Sequence, residues 1–322
     1  MGKCIKNLPE PVNMSANFER AYFFGDSLSD TGNILSFTGG EFPSFPFATG
    51  RFSNGDVWVD YLAEELNLTI DPFTANTTHN DGLNYAVGGT TSGTEGAFPV
   101  NFGLQQQIDL FELQTQLNPA DTLSDDLLFL WTGANDYFSF IADDPTTPDV
   151  VEAEFPQTGK ERKNAVIEVV DINIGGAIQD LIDAGGENIV VFNLPSLEAT
   201  PLGQGLDKKD RKQLEKLTNK HNKRLSSLVK KTEKLNPDVN IIEVDIDDLF
   251  EDILDRPDEF GLTDVTDNFT GIDLYTGINQ PPAMGNPEDY LFFDSVHPTT
   301  NVHGLVADLV MNELTDEGLI MH

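Results

Sequence analysis

The chain has 322 residues, 39% of them hydrophobic, with 54 acidic against 19 basic side chains and a formal charge of −35 at pH 7. That length and apolar content suffice for one large α/β core, whereas the negative charge argues against nucleic acid or an anionic membrane surface as partner, because both would be repelled. No apolar run approaches the roughly 18–20 residues of a membrane span, and the single cysteine, Cys4, leaves no intrachain disulfide and no cysteine-based metal cluster.

Residues 1–18 carry basic side chains but no apolar signal core, and read as a poorly ordered extension ahead of a single domain over 19–322. The expectation is a soluble protein, cytoplasmic or secreted by a route that leaves no signal peptide in this sequence. Residues 21–24 are a short apolar run ending in Gly25-Asp26-Ser27, a strand that would deliver Ser27 at its carboxyl end. A helix follows over 57–66, with Val57, Tyr61, Leu62 and Leu66 at three-to-four spacing. Residues 83–87 form a second strand running into Gly88-Gly89, 105–117 a helix, and 127–132 a third strand running into Gly133-Ala134-Asn135-Asp136. Helical spacing through Val166, Val169, Val170, Ile174, Ile178 and Leu181 marks 163–184, which Gly185-Gly186 stops before a fourth strand at 188–193. Eleven of the 19 basic residues fall between Lys208 and Lys234, around an apolar stripe of Leu214, Leu217, His221, Leu225 and Leu228. This pattern is a core-packed helix with a solvated basic face. Pro237 ends it, residues 240–244 make a fifth strand, 290–293 lead into Asp294-Ser295-Val296-His297-Pro298, and a helix over 302–314 closes the chain.

Strands alternating with helices specify an α/β fold with three layers, α/β/α, around a central, mainly parallel five-stranded sheet. Ligands of such sheets bind beyond the carboxyl ends of the strands. Ser27, Gly89 and Asn135 would therefore converge, and His297, on a loop before the last helix, can join them. Attack on an acyl carbon needs a hydroxyl nucleophile, a base and a group that orients the base. Among five histidines, His79 lies in a Thr/Asn loop, His322 is terminal, His221 sits on the apolar stripe as a packed core residue, and His303 belongs to the final helix. His297 alone has a carboxylate three residues upstream, Asp294, placed to fix its tautomer and stabilise its charged form. The Gly-x-Ser-x-Gly elbow of α/β-hydrolases is absent, which disfavours that fold.

Gly25-Asp26-Ser27-Leu28-Ser29-Asp30-Thr31-Gly32-Asn33, the Gly88-Gly89 turn, Gly133-Ala134-Asn135-Asp136 and Asp294-x-x-His297-Pro298 resemble, in order, the sequence blocks of the GDSL esterase/lipase family within the SGNH hydrolases. The segment Gly50-Arg51-Phe52-Ser53-Asn54-Gly55, followed by Val57-Trp58-Val59-Asp60-Tyr61-Leu62, looks like the larger plant and bacterial members. The resemblance runs from about Tyr22 to Leu309 and implies a flavodoxin-like fold, with Ser27, His297 and Asp294 as catalytic triad. It further implies an oxyanion hole from the Ser27 N–H, the Gly89 N–H and the Asn135 side-chain amide, with Gly88 an alternative to Gly89. Asp26 and Asp136 would be structural, bonding backbone N–H groups at the turns.

The expected activity is a serine esterase or lipase that cleaves acyl esters through an acyl-enzyme, with no cofactor and with a small-molecule or lipid ester as substrate. A phospholipase or a carbohydrate O-acetylesterase is the alternative within that chemistry, and a non-catalytic lipid- or glycan-binding protein is the alternative outside it. Aromatic residues in 33–49 and 137–156, among them Phe45 and Phe138, either line an acyl pocket or form satellite core beneath long loops. Arg51, Ser53 and Asn54 read as a hydrogen-bonded turn that steadies the first loop, or as an active-site rim. The acidic clusters at 245–248 and 264–268 lack the ligand pattern of an EF-hand loop and are not assigned a metal.

Overall fold

A computed structural model describes residues 18–75, 81–96, 100–117, 123–142 and 159–320. His79, His322, residues 1–17 of the expected extension and the part of 137–156 beyond residue 142 lie outside the described residues. The elements in order are β1 (Ala21–Gly25), α1 (Asn33–Phe37), α2 (Trp58–Glu65), β2 (Asp71–Pro72), β3 (Gly82–Asn84), α3 (Leu104–Leu117), β4 (Leu127–Trp131), α4 (Ala134–Ala142), α5 (Gly159–Asp183), β5 (Asn188–Phe192), α6 (Pro201–Gly205), α7 (Lys208–Leu235), β6 (Asn240–Val244), α8 (Ile246–Asp255), β7 (Asp264–Asn268), β8 (Tyr290–Phe292) and α9 (Thr300–Asp316).

The main sheet is parallel throughout, in the order β2-β3-β1-β4-β5-β6. Every residue of β1, β4 and β5 is buried, as expected for strands covered by helices on both faces. The sheet has six strands where five were expected. The extra one is the two-residue edge strand β2, which pairs Asp71 with Leu83 and Pro72 with Asn84. It carries no apolar run to announce it, and proline is tolerated there because an edge strand leaves one side unpaired. Without β2 the order is that of the flavodoxin-like doubly wound sheet.

Aromatic side chains fill the interior around the central strands. Phe23 stacks on Phe129 at 4.8 Å between ring centroids, and Trp58 of α2 packs against Phe23, Phe129, Trp131 and Phe192. Phe18, assigned from sequence to the extension, is buried in this core. The basic helix α7 starts where Asp207 accepts from the N–H groups of Lys209 and Asp210, and it buries Leu214, Leu217, His221, Leu225 and Val229 while turning its lysines outward. The acidic cluster at 245–248 opens α8, with the Asp245 carboxylate accepting from the Asp248 N–H.

Chain direction reverses about β1. From β1 the chain runs through the edge strand β2 and back to β3 on one side and then crosses to β4 on the other, so a crevice opens beyond the carboxyl ends of β1 and β4. Gly25 closes β1 opposite Trp131, the last residue of β4. A Cβ at Gly25 would sit 2.1 Å from the Trp131 carbonyl oxygen, and the residue has φ +149°, so only glycine fits. This close approach brings the loops after β1 and β4 together.

Candidate active site

Ser27 stands two residues beyond β1, in a turn closed by Asp26. The Asp26 carboxylate accepts the Leu28 N–H, and its carbonyl accepts the N–H groups of Ser29 and Asp30. Asp30 extends this frame. Its Oδ1 accepts from Gly32 and Asn33, and its Oδ2 from Ile34 and Gly88, so one buried carboxylate joins the Ser27 loop to the turn after β3. Burial pushes the Asp26 carboxyl up to about 7 against the lowering effect of the Leu28 N–H, and pushes Asp30 up to about 6 against its backbone donors.

At the other end of the chain, Asp294 shapes the turn that presents His297. Asp294 Oδ1 accepts the N–H groups of Val296 (2.9 Å) and His297 (2.7 Å), while Oδ2 accepts from His297 Nδ1 at 2.7 Å. The three-residue spacing is thus the span of one Asx-type turn. With Nδ1–H donating to Asp294, Nε2 faces Ser27 Oγ at 2.7 Å and accepts its proton. Asp294 is 0% exposed, His297 5% and Ser27 8%, so this relay lies in an interior where each electrostatic contact counts for more than it would in water.

Ser27, Gly89 and Asn135 line one cleft. Among the described residues no acceptor meets the N–H of Ser27 or of Gly89, whereas the Gly88 N–H is held by Asp30 Oδ2 at 2.8 Å. That leaves Gly89 as the free donor of its turn, and its φ of +85° suits glycine. Asn135, in the first turn of α4, gives Nδ2 to the Thr90 carbonyl at 2.9 Å and approaches Asp26 Oδ2 at 3.5 Å. Asp136 accepts from the Ser92 N–H and hydroxyl, which fixes the same loop from the other side.

Two clefts meet at this point, sharing Ser27, Asn135, Tyr275 and His297. The narrow one, about 40 Å³, is mainly apolar, with Leu28, Trp131, Phe138, Leu197, Phe250 and Val296 among its walls. The wide one, about 440 Å³, carries Phe42, Phe52, Gly89, Ser139, Asp273 and Asn279. Phe138 lines the narrow cleft and also packs in the main core, so it answers to both of the roles the sequence left open. Phe45 answers to neither: it is 94% exposed and lines neither cleft, and Phe42 and Phe52 occupy the wall instead. Neither cleft has a lysine or arginine among the described residues.

The other described histidines stay in the core. His221 meets Tyr137 through Nδ1 at 3.0 Å and is held down to about 4 by burial, while His303, inside α9, is held down to about 3. Arg51 forms a bidentate pair with Asp60, the structural one of the two roles the sequence left open to it. The residues beside Arg51 do more than steady their own turn. Ser53 donates to the Pro298 carbonyl at 2.9 Å, Asn54 accepts the Thr300 N–H at 2.9 Å, and the Phe52 ring lies 5.0 Å from that of His297. Sequence reasoning also missed Gln107, Tyr275 and the Asp30–Gly88 contact, each of which joins segments distant in the chain.

The family model of GDSL-like lipases and acylhydrolases matches residues 22–310. A GDSL esterase/lipase of Arabidopsis thaliana is 28% identical over 318 residues, covering 89% of this chain and 79% of the relative. The phosphatidylcholine-sterol acyltransferase of Aeromonas hydrophila is 28% identical over 335 residues, covering 90% and 88%. Among solved structures, phospholipase A1 from Streptomyces albidoflavus aligns with 93% of this chain and all of its own, at 17% identity and a TM-score of 0.48.

Proposed function

Because the chain belongs to the GDSL-like lipase/acylhydrolase family, and so hydrolyses carboxylic esters through a serine, we propose that Ser27, His297 and Asp294 carry out that reaction within one domain over 19–322, on uncharged esters with a short acyl chain. The observation that carries this reading is the pair of 2.7 Å contacts running from Ser27 Oγ through the His297 ring to Asp294.

Ser27 Oγ attacks the ester carbonyl as His297 Nε2 takes its proton. Asp294 keeps the ring in the tautomer that leaves Nε2 free, and its negative charge stabilises the imidazolium. The carbonyl oxygen, now an anion, is met by the N–H groups of Ser27 and Gly89 and by the Asn135 amide, donors already in place before charge develops. His297 then gives its proton to the departing alcohol oxygen. Water enters, loses a proton to Nε2, and attacks the acyl carbon, returning Ser27 and releasing the acid. No cofactor takes part in these steps.

The clefts support an assignment of the two halves of the substrate. An apolar space of about 40 Å³ holds about three water-sized groups at 10–15 Å³ each, which suits an acyl chain of a few carbons. The wide cleft then takes the alcohol. A phosphate on that alcohol would find no basic side chain among the described lining residues and would face the carboxylate of Asp273. This favours an uncharged ester over a phospholipid, although the Aeromonas relative is named for an acyltransferase that uses one. The test is Ser27→Ala, which abolishes hydrolysis of p-nitrophenyl esters and labelling by a fluorophosphonate while the variant keeps its melting temperature. Retained hydrolysis or retained labelling would overturn the assignment of Ser27.

A further inference from the structure

Tyr275 lies on the loop between β7 and β8, in both clefts, and its hydroxyl donates to Asn135 Oδ1. The ring is packed against Phe138 at 5.2 Å between centroids. Its loop is tied down independently of Asn135. Asp273 Oδ1 accepts the N–H groups of Tyr275 (2.9 Å) and Thr276 (3.0 Å), and Asp273 Oδ2 accepts the Thr276 hydroxyl at 2.6 Å. The same loop is joined to the residue after Asp294, since Ser295 donates its N–H to the Ile272 carbonyl at 3.0 Å. Tyr275 thus connects the segment that carries the acid and base to the side chain that faces the developing oxyanion.

Two contacts define the Asn135 amide. One N–H is spent on the Thr90 carbonyl, and the oxygen is spent on the Tyr275 hydroxyl, so the second N–H is the only polar group of that side chain left to meet substrate. Its neighbour Asp26 Oδ2, at 3.5 Å, is at the limit of a hydrogen bond. A donor on an amide oxygen also draws electron density from the nitrogen and strengthens its N–H as a donor.

We propose that Tyr275 is a positioning residue for ester hydrolysis, whose hydroxyl orients and polarises the Asn135 amide for the oxyanion. Burial and the carboxylates of Asp26, Asp294 and Asp273 push the phenol well above its ordinary value, so it remains a donor throughout the working range of a histidine base.

The inference rests on the reading of Asn135 as an oxyanion donor, and the experiment separates the two. Asn135→Ala, Tyr275→Phe and the double variant are compared for kcat, KM and melting temperature on p-nitrophenyl butyrate. Removal of one oxyanion donor costs about 10²–10³ in kcat, and loss of its positioning partner is expected to cost about tenfold with KM changed less than about twofold. In the Asn135→Ala background, Tyr275→Phe is expected to change kcat by less than about twofold, because the amide through which it acts is gone. An Asn135→Ala variant with full kcat overturns the oxyanion reading and this inference with it. An impaired Asn135→Ala beside a fully active Tyr275→Phe overturns the inference alone, as does an equal loss from Tyr275→Phe in both backgrounds. A Tyr275→Phe variant that loses activity only in proportion to a fall in folded protein assigns the hydroxyl to stability and likewise overturns it.

Discussion

Replacing Gln107 by leucine tests whether the site depends on a side chain that never approaches the substrate. Gln107 sits on α3, fully buried, with Oε1 accepting the Gly25 N–H at 2.8 Å and Nε2 donating to the Gly25 carbonyl at 2.8 Å and the Thr90 hydroxyl at 2.9 Å. Leucine fills nearly the same volume but leaves the Gly25 N–H buried without a partner, at a cost of about 1–3 kcal/mol. The Gly25 carbonyl keeps the Val87 N–H, and the Thr90 hydroxyl keeps the Phe102 carbonyl, so those two contacts lose about 1 kcal/mol each rather than a full desolvation penalty. Burying leucine in place of an amide returns about 1–2 kcal/mol. The net expectation is a loss of about 2 kcal/mol, which at about 2–4 °C per kcal/mol lowers the melting temperature by about 4–8 °C. Activity falls further than stability. Gly25 leads to Ser27, and the Thr90 carbonyl holds the Asn135 amide, so both ends of the proposed oxyanion hole are expected to shift when Gln107 lets go. Calorimetry and kcat on a short p-nitrophenyl ester check both effects in one preparation. A variant with wild-type melting temperature and wild-type kcat refutes the claim that Gln107 couples the Ser27 turn to the Thr90 turn.

Phe138→Ala enlarges the narrow cleft, so preference moves towards longer acyl chains while stability falls by about 3 kcal/mol or more; Phe45→Ala, at an exposed position, leaves both unchanged within about 0.5 kcal/mol. A series of p-nitrophenyl esters from acetyl to dodecanoyl reads the difference, and an unchanged preference in Phe138→Ala removes the acyl assignment of that cleft. His221 is held below its ordinary value, so its contribution to stability is complete above pH 6.5 and is lost as pH falls towards about 4, amounting to about 3 kcal/mol at about 1.4 kcal/mol per unit. His221→Gln removes that titration, and the drop in stability between pH 7 and pH 5 is expected to shrink by about 2 kcal/mol relative to the wild type; parallel pH curves for the two proteins would contradict a buried neutral His221. With a formal charge of −35, self-repulsion opposes the compact state. Raising salt from about 0.01 to 1 M, which shortens the screening length from about 30 to 3 Å, therefore raises the melting temperature, and a melting temperature indifferent to salt denies that repulsion limits stability.

What the sequence made legible was set by the range over which each signal acts. Strands β1, β4 and β5 announce themselves because strands buried on both faces read as near-continuous apolar runs. Asp294 and His297 are legible together because their contact closes within one turn. Gln107 was invisible for the opposite reason. It follows Gln105 and Gln106 in a polar run, and nothing local distinguishes the one amide that is buried against Gly25, 82 residues away. Tyr275 likewise finds Asn135 at a separation of 140 residues. The aromatic residues of the first long loop were legible as a group and not as individuals, since a run of phenylalanines says that some surface is covered without saying which ring covers it. Hence Phe45 faces solvent and Phe42 and Phe52 face the cleft.

The segment from Arg51 to Asn54 shows how a structural turn and a functional one can be the same object. Ser27 is placed by the sheet, because it stands two residues beyond a central strand paired on both sides. His297 lacks a central strand behind it: it follows a short strand of a separate two-stranded sheet, on a turn closed by Asp294 and by the Phe293 N–H, which donates to the His297 carbonyl at 2.8 Å. If His297 is to act as the proposed base, its 2.7 Å contact with Ser27, 270 residues away, is steadied by a clamp from outside the turn. Ser53 and Asn54 supply it by gripping Pro298 and Thr300, and Phe52 covers the imidazole ring. The clamp itself is fastened by Arg51 to Asp60 at the start of α2, and α2 packs along α9, the helix that His297 introduces. Position therefore passes from the core helices to the turn and from the turn to the base. A residue in that chain can govern the reaction without meeting the substrate, which is why the sequence left this turn open between a structural role and an active-site rim.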